Sequence, residues 1–313
     1  MPFYLNPNTK EPYLRLGAPH TNIIITPHRL DRLDEDIPPR VEMFNDPKIY
    51  MVLDGPPVPY LYENGVSWVK SIGEQLLPVV EAIQANPADP GVFGESPFSC
   101  IRLVSREDKD GHPLEDCVIG DITITRYAFY EYPQDSEERT AAQNANKELP
   151  AGDESIAWGI GCFLSPRYHG QGIMTSALRT LIHDWAVPYM KARDIRASVN
   201  LGNNSSLRVF EKNDFEEVCT LKDWKKVSES RGGGVQSIVV RESPEPSIHS
   251  DDSSGVLDAD DALAIRLIMR VVNRSLQLHG PGYQITVLSH PEPELFLLAH
   301  TGLDQDFSKG SGF

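Results

Sequence analysis

An apolar run that passes through a glycine-containing turn into an amphipathic helix is the feature that most constrains this chain. Residues 155–166 (SIAWGIGCFLSP) predict a buried strand, and an amphipathic helix begins at Ile173. The turn between them, residues 167–172, reads RYHGQG. A helix N-terminus presents unpaired backbone N–H groups, and glycine lets a ligand approach the backbone closely. The unit is therefore a candidate phosphate or pyrophosphate site, although an ordinary strand-to-helix turn that needs glycine has the same pattern.

Two other nucleotide-binding patterns are not met. The chain contains no G-x-x-x-x-G-K-[ST] sequence, which argues against a P-loop NTPase. Gly159 and Gly161 lie inside the predicted strand and do not open a helix, so they do not form a dinucleotide-binding fingerprint. The turn at residues 167–172 remains the phosphate-binding candidate.

Strand and helix patterns alternate on both sides of this unit. Alternating or apolar runs predict strands near residues 22–26, 99–106, 117–129, 195–201, 215–222 and 235–241. Helical patterns predict helices at 63–85 and from Ile173, a short helix at 204–213, and a helix within 41–52 that breaks near Pro47. Pro78 is expected to kink or divide the first helix, and Pro188 to end the second. The acidic segment 131–153 is expected to be an exposed loop and a candidate lid.

Changes in composition divide the chain into four parts. Residues 1–20, rich in Pro and Asn, are expected to be loose, and residues 21–242 are expected to form one domain. Residues 243–262 are acidic and rich in Pro and Ser, as linkers are. Residues 263–313 form an extension of unknown role, with an amphipathic helix near its start and short apolar runs at 284–288 and 295–299.

The charge and the cysteines limit partners and location. A formal net charge of −16 argues against nucleic-acid partners, and a mildly basic amine would be attracted to such a protein. The sequence has no long apolar run and no signal peptide, so we expect no membrane partner. Cysteines and histidines show no metal-ligand spacing, and we predict no metal. Free thiols at Cys100, Cys117, Cys162 and Cys219 suit a reducing compartment, so the expected location is cytoplasmic.

A second motif follows the next predicted strand, where residues 203–215 read NNSSLRVFEKNDF. With the turn, it resembles the GNAT superfamily of N-acetyltransferases, most of all the Rim-type (ribosomal-protein N-terminal) enzymes. In that group an R/Q-x-x-G-x-G/A turn precedes N-x-x-S-x-R-V-x-E-K-x-G-F. The matching residues are Asn203, Ser206, Arg208, Val209, Glu211, Lys212 and Phe215. Asp214 stands where the group has glycine, and aspartate tolerates the left-handed turn expected there.

The segments ITPHRLDRLDEDI (25–37) and FNDP (44–47) are also similar to the start of Rim-type enzymes, so the resemblance covers roughly residues 22–241. It implies an α/β (α+β) GNAT fold. In this fold helices flank a mixed central sheet of about seven strands, with a splay between two central parallel strands. The resemblance also implies acetyl-CoA as co-substrate and an amine as acceptor.

The resemblance assigns cofactor-binding roles to two segments. The pyrophosphate would lie on backbone amides of the turn that Arg167 opens, namely Tyr168, His169, Gly170, Gln171, Gly172 and Ile173. The pantetheine arm would bond the backbone of Cys162 and Leu164 on one side of the splay and Asn203 on the other. The Cys162 N–H would also polarise the thioester carbonyl.

Catalysis in this family is direct attack by a neutral amine, so the Cys162 thiol is expected to be a buried strand residue and not a nucleophile. Ser206 would donate a proton to the departing thiolate, because Phe210 stands where many relatives have tyrosine. The Ser206 hydroxyl could instead cap the short helix. Glu154, Asp121 and His169 are candidate general bases by nearness in sequence, although each is of a type often found as a solvated surface group.

The predicted function is transfer of an acetyl group from acetyl-CoA to a protein N-terminus or a small amine, by a monomer or homodimer. A non-catalytic acyl-CoA-binding or regulatory module is the alternative, and an enzyme for a bulkier acyl-CoA is a third possibility. In this fold, residues 52–65 and 223–234 would shape the acceptor site.

Overall fold

The computed structural model describes residues 3–53 and 55–244, and the backbone of two further strands at 283–288 and 296–301. The chain divides into two compact units, Met1–Ser247 and Ile248–Phe313. The division falls inside the segment that was predicted to be a linker, residues 243–262.

The first unit is built on a nine-stranded mixed sheet. Its strands are Tyr4–Leu5 (β1), Pro12–Arg15 (β2), Ile23–Thr26 (β3), Cys100–Glu107 (β4), Pro113–Arg126 (β5), Ala157–Leu164 (β6), Asp194–Asn200 (β7), Glu216–Lys226 (β8) and Val235–Glu242 (β9). They lie in the order β1-β2-β3-β4-β5-β6-β7-β9-β8. Every neighbouring pair is antiparallel except β6 and β7, so the predicted mixed sheet with a parallel pair is confirmed, with nine strands in place of seven.

The second unit contains an antiparallel hairpin of Tyr283–Leu288 (β10) and Phe296–Thr301 (β11). These strands coincide closely with the two apolar runs expected at 284–288 and 295–299. The helix expected near residue 263 lies outside the described residues.

Seven α-helices are described in the first unit. They are Leu33–Phe44 (α1), Pro47–Tyr50 (α2), Tyr62–Ala85 (α3), Glu137–Glu148 (α4), Ile173–Leu181 (α5), Val187–Met190 (α6) and Asn204–Glu211 (α7). A π-helical turn, Ile182–Ala186, joins α5 to α6 in one continuous run. None of the helices in the described residues combines the length and the apolar character that a bilayer crossing needs.

Three prolines behave differently in these helices. Pro47 opens α2 at its first position, where its missing N–H costs nothing, and this agrees with the predicted break. Pro78 lies inside α3 without dividing it. Pro188 does not end its helix as predicted, because the wider π-helical turn precedes it and the run continues to Met190.

The acidic segment 131–153 is not the loop that was predicted, because α4 occupies its centre. Ser136 caps the helix by accepting a hydrogen bond from the Arg139 N–H. Asn146 exchanges two hydrogen bonds with the backbone of Ala157, the first residue of β6, each of 2.9 Å. These bonds tie the segment to the central sheet.

The predicted loose segment at residues 1–20 is also wrong, because β1 and β2 extend the sheet there. β2 pairs with β3, and Phe3, Leu14 and Leu16 are buried in the main core. Burial of these apolar side chains outweighs the entropy lost when the segment is ordered.

We expect Leu14→Ala to lower the free energy of unfolding by about 2–5 kcal/mol, because it removes a fully buried side chain from the core. Leu77, on α3, is 45% exposed, so Leu77→Ala should change it by no more than about 0.5 kcal/mol. Urea unfolding followed by circular dichroism measures both. Equal small effects would show that the N-terminal strands do not belong to the cooperative fold.

Candidate active site

The parallel pair β6–β7 opens at one end. Its pairing runs from Ala157–Asp194 to Ile160–Ala197, whereas the strands continue to Leu164 and Asn200. The gap between these ends is the splay that the sequence led us to expect.

The hydrogen bonds at both ends of β6 show which backbone groups face this gap. Ala157 accepts from the Tyr127 N–H at 2.9 Å, and the Ser165 N–H donates to Ile119 at 2.8 Å, so residues of odd number turn their N–H and C=O groups towards β5. Cys162 and Leu164 therefore turn theirs towards β7, beyond the last paired residues. The proposed pantetheine contacts of these two backbones stay a prediction, and the Leu164 carbonyl already accepts a hydrogen bond from His169 Nε2 at 2.7 Å.

Gly170 and Gly172 shape the turn that follows β6. Their φ angles are 75° and 79°, in the left-handed region that L side chains avoid. A Cβ on Gly170 would meet no protein atom within 4 Å, so the glycine leaves open space beside the backbone. The turn has the form of a cradle for a ligand.

The amides of the cradle differ in part from the predicted set. The Tyr168 and His169 N–H groups donate to the carbonyls of Ser165 and Pro166, at 2.9 and 3.3 Å, so these two amides are already used. The first N–H of the α5 region that finds a backbone carbonyl is that of Ser176, which donates to Gly172. From Gly170 to Thr175 no described amide has a backbone partner, so the amides of Met174 and Thr175 are open to a ligand whereas those of Tyr168 and His169 are not.

The side chains of the turn hold its shape. His169 Nε2 donates to the Leu164 carbonyl at 2.7 Å and so ties the turn to the end of β6. Gln171 Nε2 donates to the Arg167 carbonyl at 3.2 Å. The side chains of Arg167 and Gln171 do not line the cleft beside the turn. For Gln171 the prediction concerned the backbone amide, which has no backbone partner.

A cleft of about 580 Å³ extends from the cradle through the splay. The predicted residues that line it are Cys162, Leu164, Tyr168, His169, Gly170, Gly172, Ile173, Asn203 and Ser206. Burial raises the pKa of the Cys162 thiol to about 12, so the thiol stays protonated near neutral pH and is a poor nucleophile.

The N-terminus of α7 decides between two readings of Ser206. The Asn203 side chain caps the helix by accepting the Ser206 N–H at 3.2 Å, so the Ser206 hydroxyl is not the cap, and Ser206 lines the cleft. Phe210 is buried and packs edge-on against Phe215. Asp214 has a φ of 63°, the left-handed conformation expected at this position.

Two of the candidate bases lie elsewhere. Glu154 precedes the start of β6, at the strand end opposite to the splay; its side chain is 61% exposed and pairs with Arg193 at 3.3 Å. The prediction of a catalytic Glu154 was wrong, because nearness in sequence to β6 places a residue at its far end. Asp121 is buried in an ion pair with Arg40 and does not line the cleft.

Cations and not carboxylates line the cleft within the described residues. The charged side chains along it are those of Lys48, Arg208, Lys212 and Lys225. Although the whole chain is acidic, this cleft therefore attracts anions such as phosphates. The expectation that negative charge would attract an amine does not hold at the site itself.

Contacts that no local sequence signal indicated hold the loop after α2. Arg231, in the β8–β9 loop, donates hydrogen bonds to the backbone carbonyls of Tyr50, Leu53 and Pro56. Asn200, at the end of β7, donates from Nδ2 to the Val52 carbonyl at 3.0 Å. The two segments expected to shape the acceptor site, residues 52–65 and 223–234, are thus joined.

The family model of the acetyltransferase (GNAT) domain matches residues 28–216, more than half of the chain. An acetyltransferase (GNAT family) from Bacillus anthracis is 11% identical with a TM-score of 0.41, and the match covers 74% of this chain and 96% of that one.

Two further solved structures are similar to the chain. RimJ from Mycobacterium smegmatis, in complex with CoA-disulfide, is 17% identical with a TM-score of 0.46, covering 74% of this chain and 85% of that one. The ribosomal-protein-S5-alanine acetyltransferase from Vibrio fischeri is 17% identical with a TM-score of 0.42, covering 75% and 96%. No curated protein matches the chain.

We expect Gly170→Val to weaken coenzyme A binding by at least about tenfold, because a side chain would fill the cradle and strain a φ of 75°. Gly111→Val is the matched control. Gly111 has a φ of 83° and open space around it, but it lies in the β4–β5 turn and does not line the cleft. Calorimetric titration measures both affinities, and equal losses would contradict the cradle assignment.

We expect Arg231→Ala to raise KM for the acceptor about tenfold with little change in KM for acetyl-CoA, because it releases a wall of the cleft remote from the cradle. Arg106→Ala serves as control, since Arg106 is 57% exposed and pairs with Glu115 away from the cleft. Steady-state kinetics with each substrate varied in turn separates the two constants. A rise in both would point to general loosening of the fold.

Proposed function

The chain belongs to the GNAT acetyltransferase family, and on that premise we propose that it transfers the acetyl group of acetyl-CoA directly to the neutral amine of a protein N-terminus or a small molecule. Enzymes of this family are acetyltransferases that use acetyl-CoA. The observation that carries the proposal is the open end of the β6–β7 pair, which continues into the glycine cradle.

The chemistry of the cleft fits coenzyme A. The unpaired amides of residues 170–175 suit a pyrophosphate, and Arg208 and Lys212 add positive charge. The Asn203 Oδ1 is occupied by the helix cap, which leaves its Nδ2 to donate to an amide of the pantetheine arm. The cofactor supplies an activated acyl group as a thioester.

Two groups of this chain would assist the transfer. The Cys162 N–H points into the splay, where it would donate a hydrogen bond to the acyl oxygen as negative charge develops there. The Ser206 hydroxyl would give its proton to the departing sulfur. Because Asn203 supplies the helix cap, the Ser206 hydroxyl is available for this role.

The amine must also lose its proton before it can attack the thioester. Within the described residues no carboxylate lines the cleft, and the lysines along it disfavour a second positive charge. The amine would then arrive neutral after losing its proton to solvent. An α-amine, with a pKa of about 8, meets this condition near neutral pH far better than a lysine side chain with a pKa of about 10.4.

Turnover distinguishes this function from a module that merely binds acyl-CoA. Phe210, which replaces the tyrosine of many relatives, and the uncertain general base were the reasons to consider such a module. The Ser206 hydroxyl on the same cleft supports catalysis by offering an alternative proton donor. We also propose a cytoplasmic location, since free thiols such as Cys100, Cys117 and Cys162 suit a reducing compartment.

We expect acetyl-CoA and coenzyme A to bind at micromolar concentrations in calorimetric titrations, and ATP not to bind, because the splay accommodates a pantetheine arm that ATP lacks.

We expect Ser206→Ala to lower kcat by about 100-fold or more with little change in acetyl-CoA affinity, because it removes a proton donor and no contact of the cradle. Release of free thiol with amine and N-terminal peptide acceptors measures turnover.

Ser205→Ala is the matched control, since Ser205 lies on the same helix beside the cleft and has no assigned role. Unchanged turnover in Ser206→Ala would remove Ser206 from the mechanism. Tight acetyl-CoA binding without thiol release for any acceptor would favour the non-catalytic module.

A further inference from the structure

Two aromatic side chains from distant parts of the chain stand together on the cleft wall. Tyr130 and Trp224 both line the cleft, with ring centroids 5.3 Å apart and planes at 71°. Trp224 Nε1 donates to the Tyr130 carbonyl at 2.8 Å. The hydrogen bond fixes the indole against the other ring, so the pair forms a preformed aromatic wall.

The backbone is strained immediately before each of these residues. Phe129 has a φ of 51° and Asp223 a φ of 49°, both in the left-handed region and neither a glycine. The register of β8 shifts between Leu221 and Lys225, so Trp224 lies in an irregular part of its strand. Strain of this kind persists only where surrounding contacts enforce it, and it concentrates at functional sites.

Helix α4 supplies the contacts that hold the wall. The Arg139 guanidinium lies over the rings of Tyr130 and Trp224, at 5.1 and 5.5 Å from their centroids. Arg139 Nε and Gln143 Nε2 each donate to the Ala128 carbonyl at 2.9 Å. The segment that was expected to be a loop therefore has a structural part in the site.

The wall lies on the sheet face opposite to α5. Even-numbered residues of β6, such as Trp158 and Ile160, pack in the main core with α5, whereas Tyr130 packs in a separate cluster with Tyr127 and Ala157. Gly161 and Ser198 share this second face by strand alternation, and both line the cleft. Because Gly161 and Ser198 are small, the floor of the cleft on this face is low, and an incoming group has room between these residues and the aromatic wall.

We propose that Tyr130 and Trp224 determine acceptor specificity by packing against an apolar or aromatic group carried by the amine. This inference rests on the proposed acetyl transfer and names the class of acceptor. Planar or apolar groups gain most from aromatic faces that are already fixed in place. Amines with a second positive charge fit poorly, because the described part of the cleft offers cations and no carboxylate.

Two matched pairs of amines test the wall, each pair differing by one ring. They are 2-phenylethylamine with ethylamine, and two peptides of the same sequence that begin with Phe or with Gly. Calorimetric titration into the coenzyme A-saturated protein measures binding without requiring turnover. We expect the ring-bearing member of at least one pair to bind about tenfold more tightly.

Trp224→Ala should reduce this preference to less than about threefold, and Trp224→Phe, which keeps a ring, should retain most of it. Trp68→Ala is the control, since Trp68 lies on α3, is 49% exposed and does not line the cleft. Equal binding of both members of each pair, or a preference that survives Trp224→Ala, would overturn the proposal.

Failure of the proposed acetyl transfer and failure of the specificity proposal give different experimental results. If acetyl-CoA does not bind, acetyl transfer is refuted, whereas the amine titrations on the unliganded protein still report on the wall. If acetyl-CoA binds and thiol is released without any ring preference, the function stands and the specificity proposal falls.

Discussion

The hydrogen-bonded pairing of β6 with β7 stops after Ile160 and Ala197, and the rest of the site depends on that interruption. Backbone N–H and C=O groups inside a sheet are nearly always paired, so strands that diverge leave groups that a ligand can satisfy. Gly120 indicates why β6 turns away. A Cβ there would lie 2.4 Å from the Phe163 carbonyl, so glycine lets the end of β6 press closely against β5. The close contact of β6 with β5 on one side accompanies the gap between β6 and β7 on the other side.

One wall of the cleft depends on α1, and buried ion pairs hold this helix on the sheet. Arg40 of α1 pairs with Asp121 of β5, and Arg102 of β4 pairs with Asp36 of α1. Burial lowers the pKa of the adjacent His28 to about 4, so its imidazole stays neutral and adds no unpaired charge. Buried ion pairs contribute little net stability, but breaking one is costly, so they fix orientation.

This orientation reaches the cleft through aromatic packing. Phe44, near the end of α1, lies 4.6 Å from both Tyr60 and Phe163, measured between ring centroids. Phe163 lines the cleft beside the splay. The buried charges thus act at a distance, since they orient the helix whose last turn supports one wall of the cleft.

The parts of the structure that the sequence predicted are those governed by local rules. The apolar stripe of α5 is buried as its period requires, with Ile173, Ala177 and Leu181 in the core, and Asp214 adopts the left-handed turn. The failures need information from distant residues. The strands within residues 1–20 depend on pairing with β3, and α4 depends on the Asn146–Ala157 hydrogen bonds. The prediction for Glu154 failed because Glu154 lies before the first residue of β6, whereas the splay lies at the last residues of that strand.

The negative net charge of the whole chain wrongly predicted a cleft that attracts cations. The placement of the acidic side chains explains the difference. Acidic residues outnumber basic ones in the sequence. The buried carboxylates of Asp36, Asp116 and Asp121, however, are paired with buried arginines. Within the described residues, the charged side chains that line the cleft are positive, which favours the phosphates of coenzyme A and disfavours a protonated amine. An acceptor that must enter uncharged can gain little from electrostatic attraction. If the acceptor enters uncharged, as proposed, its affinity would come from packing, which is the role proposed for Tyr130 and Trp224.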